Sequence, residues 1–192
     1  MKQLLLFSLL FPSLLFAQGR NDFHSKPVFE ENNGQVKNEG LNPEIRFVLR
    51  GNALTYYFSD RGYSVVERSE GENVSRVDFF FEHEQTCMPE GKEKTATPNL
   101  YYTAGGKISA NKFHRIIYRN AFTGADLEFS IVGDFIKKNV IIHGPAFPGR
   151  ISFDIKGCTD WELMEDGYVF NSPAMNFTEK LLQTEPHLMV KP

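Results

Sequence analysis

Asp126 and Glu128 stand two residues apart, and Asp154 follows further along the chain. In an extended strand, residues i and i+2 share a face, so Asp126 and Glu128 project side by side. Two carboxylates held roughly 5–10 Å apart can hydrolyse a glycoside, one as acid and one as base or nucleophile. The simpler reading is that they sit on the wet face of an antiparallel sheet, where such residues serve solubility. Lys137 and Lys138 follow the Gly133-Asp134 turn and are expected to pair with these carboxylates across a hairpin. His24, His83, His114, His143 and His187 form no HxH, HxxxH or HExxH unit. Only a fold that makes neighbours of their strands would bring His114 and His143 together.

Other chemistry finds no motif. The sequence has no GxSxG nucleophile elbow, no GxxxxGK[ST] phosphate loop and no GxGxxG fingerprint. Asp60, Asp78 and Asp160 are isolated and form no calcium loop. No catalytic residue, metal site or cofactor is therefore expected. Cys87 and Cys158 are the only cysteines. They are either buried thiols or a disulfide closing a loop of about 70 residues, which would stabilise by roughly 4 kcal/mol. Tyr56, Tyr57, Tyr101, Tyr102 and Trp161 could stack on sugars if exposed, although packing is the commoner use of such residues. Asn73 and Asn176 each begin a glycosylation triplet.

The elements that would position these residues are short strands. Leu127, Phe129 and Ile131 alternate with Asp126, Glu128 and Ser130, a period of two with a dry and a wet side. Residues 135–143 return as the partner strand. Residues 45–50 and 53–59 form another hairpin around Gly51-Asn52, followed by strands over 63–67 and 74–82. Residues 99–103 and 113–119 frame a Gly105-Gly106 turn. Further strands are expected over 151–156, 161–164, 168–171, 177–184 and 188–190. No window outside the first residues has helical periodicity. The expected class is all-β: an antiparallel β-sandwich or two packed β-sheets, with two similar halves as a further option. Residues 83–98 hold Pro89, Gly91 and Pro98 with no apolar period, so they read as a surface loop and a candidate internal boundary.

Lys2, the apolar run Leu4–Phe16 and the small residue Ala17 have the form of a cleavable secretory signal over residues 1–17. The run is too short for a comfortable membrane span. Residues 18–27 read as a flexible polar segment, leaving 28–192 as one β-rich domain. With 21 basic and 24 acidic side chains the net charge is −3. No basic surface for nucleic acid is expected, nor a transmembrane anchor in the mature chain.

The stretch Phe29-Glu30-Glu31-Asn32-Asn33-Gly34-Gln35 resembles the F-x-E-N-x-G-Q opening of a bacterial domain family of unknown function. Further landmarks follow in order: Ile45-Arg46-Phe47-Val48, then Asn99-Leu100-Tyr101-Tyr102. The run 113–129 carries Tyr118, Asn120, Phe122, Gly124, Ala125 and Asp126, and Asp166-Gly167 and Glu185-Pro186 close the series. The domain so resembled stands at the N-terminus of large exported proteins with SBBP or PKD repeats and C-terminal sorting domains for type IX secretion or gliding motility. The resemblance implies a non-catalytic module and supplies no catalytic residue. It leaves the chain either a fragment of a longer product or a stand-alone copy.

These readings converge on an exported β module, secreted or at the cell surface, with the periplasm as the alternative. It would mediate protein–protein contact, adhesion or assembly with other envelope or secreted proteins. A carbohydrate-binding module on surface glycans, using exposed aromatics and the Asp126/Glu128 face, is the second reading, and a hydrolase is the third.

Overall fold

A computed structural model describes residues 26–37, 44–51, 54–68, 74–82, 86–133, 135–144, 151–164, 167–171 and 176–180. The expected signal, most of the flexible segment, His24, His83, His187 and the tail from 181 lie outside these residues. So does Asn73.

The described residues hold fifteen strands. They are β1 (Phe29–Glu31), β2 (Ile45–Arg50), β3 (Leu54–Ser59), β4 (Gly62–Arg68), β5 (Val74–Phe81), β6 (Pro89–Lys94), β7 (Asn99–Thr103) and β8 (Gly106–Ala110). Then come β9 (Lys112–Phe122), β10 (Ala125–Val132), β11 (Phe135–Ile142), β12 (Phe153–Lys156), β13 (Asp160–Met164), β14 (Gly167–Asn171) and β15 (Asn176–Lys180).

The chain is all-β and antiparallel, as the alternation predicts, but the main sheet is a strongly curled half-barrel rather than two separate facing sheets. Nine strands run in the order β11-β10-β9-β1-β2-β3-β4-β5-β12, with β6 added on β9. Strands β13, β14 and β15 form a small sheet, and among the described residues β7 pairs only with β8.

Aromatic contacts reveal the curl. Phe129 on β10 lies 5.0 Å from Phe58 on β3 and 5.1 Å from Tyr63 on β4. Those strands are several places apart in the sheet, so its two wings must face each other across one core. Tyr63 stacks on Phe79 at 4.6 Å, and Phe170 from the small sheet meets Phe79 edge-on at 5.1 Å. The small sheet is thereby docked on the same core. Offset and edge-on pairs of this kind are the favoured geometry of buried rings, and a Phe-rich sequence can satisfy them in one layer only if the sheet bends.

Three local expectations change. Residues 89–94 are not loop but strand β6, with Pro89 opposite Tyr118 and Lys94 opposite Phe113. The expected internal boundary therefore runs through the main sheet. Pro89 starts the strand, where a missing N–H is tolerated, and the charges that follow suit a sheet edge. The Gly105-Gly106 turn joins β7 to β8, while 112–122 belongs to the main sheet. Asp126 and Glu128, on the face expected to be wet, are 1% and 8% exposed. Their side of β10 is closed over by arginine, histidine and asparagine side chains from β9, β11 and the segment that follows β11.

Candidate functional site

The polar residues singled out from the sequence collect at two places. At the first, β1 runs into the turn Asn32-Asn33-Gly34-Gln35. Phe29 and Glu30 point to opposite faces of the strand. Phe29 is fully buried and packs edge-on against Phe58 at 5.5 Å. Glu30 is buried on the other face. Its carboxylate accepts hydrogen bonds from Tyr101 Oη at 2.7 and 2.8 Å, from Asn99 Nδ2, and from Gln35 Nε2 at 3.1 Å. Arg50 Nη1 stands 3.4 Å away. Burial alone would raise the Glu30 pKa, but the bonds from Tyr101, Asn99 and Gln35, with the Arg50 charge, hold it below the usual carboxylate value. Tyr101 moves the other way, because burial and the Glu30 carboxylate both disfavour its ionisation.

The turn itself is tied to its surroundings. Asn32 Oδ1 accepts the N–H groups of Gly34 and Val36, while its Nδ2 donates to the carbonyls of Val36 and Ile45. An asparagine side chain standing in for backbone is the usual device of such turns. Gly34 has φ of +103°, a conformation that L side chains resist. Asn33 Nδ2 reaches the Ser109 carbonyl on β8 at 2.8 Å. Glu31 accepts from Asn111 Nδ2 at 2.7 Å, and Gln35 also donates to the Glu31 carbonyl. An open depression of about 520 Å³ beside the turn is lined by Asn32, Asn33, Gly34, Val36 and Glu44.

The second place is the corner from β9 to β10. Asp126 accepts from Arg119 Nη1 at 2.7 Å and from the Asn120 N–H at 2.7 Å, and lies 3.0 Å from His143 Nε2. Burial would raise its pKa. The Asn120 N–H, His143 and Arg119 more than offset that and hold it below the ordinary value. Asn120 has φ of +50° and Gly124 of +71°, so the chain needs left-handed residues to make this corner. The Gly124 carbonyl accepts the His143 N–H at 2.7 Å. Glu128, one register step inward, accepts from Arg115 at 3.1 Å and Asn139 at 3.1 Å. Tyr118 is buried and donates to the Gly62 carbonyl at 2.9 Å, bridging the core to β4.

This geometry bears directly on the chemistry first considered. A general acid for glycoside hydrolysis needs a raised pKa, and Asp126 is shifted the opposite way. Both carboxylates are buried against fixed donors rather than presented to a ligand. Across the hairpin, Glu128 faces Asn139, and Lys138 faces Phe129. Lys138 turns to the core side, where its Nζ lies 2.6 Å from Tyr63 Oη and 4.6 Å from the Tyr63 ring centre. His143 sits at one end of β10 and His114 near the other, so the fold does not bring them together. Among the described residues no group of three or more His, Cys, Asp or Glu side chains could hold a metal ion.

Cys87 and Cys158 are separate thiols. Cys87 donates to the Arg119 carbonyl, and burial with nearby Asp126 and Glu90 pushes its pKa up to about 11. A thiol so held is a poor nucleophile. Cys158 donates to the Asp160 carbonyl. Gly167 opens β14 opposite Met164 and Lys180.

The family model described as Domain of unknown function (DUF7948) matches residues 29–181. The chain belongs to this family. No curated protein and no solved structure matches it. The DUF7948 match begins at Phe29, so the Glu30 cluster and the Asp126 corner both fall inside it. Glu30 occupies the x position of the motif, yet it binds three motif residues, Gln35, Asn99 and Tyr101. The clue was in its position: a carboxylate following a core phenylalanine on a three-residue strand must point away from the core.

Proposed function

We propose that this DUF7948 chain is a non-catalytic, exported β module that mediates contact, adhesion or assembly within a larger secreted or surface protein. The leader-like residues 1–17 support export, and the order of the motif residues supports the role of an N-terminal module in sorted, repeat-bearing proteins. One observation carries the non-catalytic reading. Glu30, Asp126 and Glu128, the buried carboxylates among the described residues, are each taken up by fixed donors that hold backbone or neighbouring strands in place. Of the large apolar side chains open to solvent among the described residues, Tyr102 on the β7–β8 hairpin is the most exposed at 80%, with Leu100 beside it at 46%.

The carbohydrate-binding reading keeps one support, because Tyr102 is an open ring of the kind that stacks on sugars. The test is binding of the intact chain to envelope fractions and to a glycan array, for the parent and for Tyr102→Ala with Leu100→Ala. The contact reading expects envelope binding to fall at least tenfold with no glycan retained. Glycan binding that vanishes with Tyr102→Ala would favour the second reading. Substrate turnover lost in Asp126→Asn would overturn both.

A further inference from the structure

Among the described residues, the β7–β8 hairpin shares no strand pairing with the main sheet. Its side-chain ties run to one carboxylate and one turn. Asn99 and Tyr101 on β7 meet Glu30, and the Ser109 carbonyl on β8 meets Asn33. Asn99 and Tyr101 share one face of β7, while Leu100 and Tyr102 point the other way into solvent. A two-stranded hairpin is marginally stable at best on its own in water. Its order therefore depends on being held.

We infer that the β7–β8 hairpin is an acid-released arm: the ionised Glu30 carboxylate pins it to the sheet, and protonation of that carboxylate frees it while the curled sheet stays folded. The donor inventory gives the reason. As placed, the Asn99 and Gln35 amide nitrogens and the Arg50 guanidinium all donate towards Glu30, and the Tyr101 hydroxyl stands within bonding distance of both of its oxygens. A protonated carboxyl brings one more donor into a ring of donors, and it is accepted only if the Tyr101 hydroxyl turns or the Asn99 or Gln35 amide flips, each at the loss of a bond now made to Glu30. Among the described residues, the charged and titratable groups on this face come from four strands, with Tyr57 of β3 opposite Val48. Arg50 comes from β2, Tyr101 from β7, and Lys112 is the register partner of Glu30 on β9. Glu31 points to the opposite face, towards Asn111.

Release has a structural consequence. Val48 stands opposite Glu30 in register and is fully buried. Loss of the arm bares the Glu30 side of the sheet beside it and changes where Tyr102 and Leu100 are presented. The inference concerns how the hairpin is held, so it stands or falls independently of what the hairpin contacts.

The test is amide hydrogen exchange of the full chain between about pH 7 and pH 3, corrected for the intrinsic pH dependence of exchange. The sign follows from the lowered Glu30 pKa: the pin is fully present above the ordinary carboxylate range and is lost as pH falls through the folded value. Amides of 99–110 should lose protection by at least tenfold while β4, β5, β9 and β10 keep theirs. In Glu30→Gln, the hairpin should already exchange fast at neutral pH and show no further acid step. Tyr101→Phe removes a donor to the carboxylate, so release should move to higher pH even if Glu30→Gln does not fold. Exchange of hairpin and sheet together, a hairpin protected throughout the acid range, or an unchanged release pH in Tyr101→Phe would each overturn the inference.

Discussion

Glu30 and Asp126 are both carboxylates almost sealed from solvent, at 3% and 1% exposure, and both are held below their ordinary pKa. They do opposite kinds of work. Asp126 closes its own corner, with donors at Arg119 and Asn120 only a few residues away and His143 just past the partner strand. Glu30 reaches partners 69 and 71 residues distant and fastens a hairpin that has no ladder to the main sheet. One uses a backbone N–H, an arginine and a histidine to shape a turn, and the other uses mainly neutral side-chain donors to join two sheets. Burial and pKa direction alone would have grouped them. The difference lies in what each partner is attached to.

Replacement of Glu30 should separate the two most strongly. Glu30→Ala leaves Asn99, Tyr101 and Gln35 facing an empty acceptor, and should cost about 3 kcal/mol in urea unfolding. Arg50 contributes little of that, since its side chain is half exposed. Asp126→Asn keeps an acceptor for the Asn120 N–H but removes the charge opposite Arg119 and His143. It should cost about 1.5 kcal/mol by the same measurement, with the loss confined to the 119–126 corner and His143.

Acid dependence gives a third separation. Both groups contribute stability that is present above the ordinary carboxylate range and lost as pH falls through their folded values. In Asp126→Asn the acid loss of global stability should shrink, while the hairpin still responds to pH. In Glu30→Gln the hairpin should lose its acid response while the Asp126 corner keeps its own. Tyr101→Phe should cost about 1 kcal/mol, the size of a single buried hydrogen bond. Arg119→Ala should cost about 0.5 kcal/mol, because half of that side chain is in water and its attraction to Asp126 is screened.

Much of the scaffold was readable from local pattern. Leu127, Phe129 and Ile131 alternate cleanly, and the β10–β11 register follows from them. Asn32 and Gly34 announce their turn by type, as Gly124 does its corner. Other features needed the fold. β6 carries its charges along a sheet edge, so it lacks the apolar period by which strands are recognised. Asp126 and Glu128 look wet within their own strand, since the residues that cover them belong to β9, β11 and His143. Glu30 was hidden in the same way: next to Phe29 it reads as a solvent-facing strand residue, and nothing near it in sequence names Asn99 or Tyr101 as its partners. Curling follows from how Phe58, Tyr63 and Phe129 meet, a three-body condition that no single strand displays.

The central claim is that two similar buried carboxylates hold two separate parts of the molecule. It is tested most directly by comparing amide chemical-shift maps of Tyr101→Phe and Arg119→Ala in the otherwise intact chain. Two footprints that do not overlap are expected, one over 30–35 and 99–110, the other over 119–126 and 143. Shifts from Tyr101→Phe that spread into the 119–126 corner, or shifts from Arg119→Ala that reach the hairpin, would contradict it.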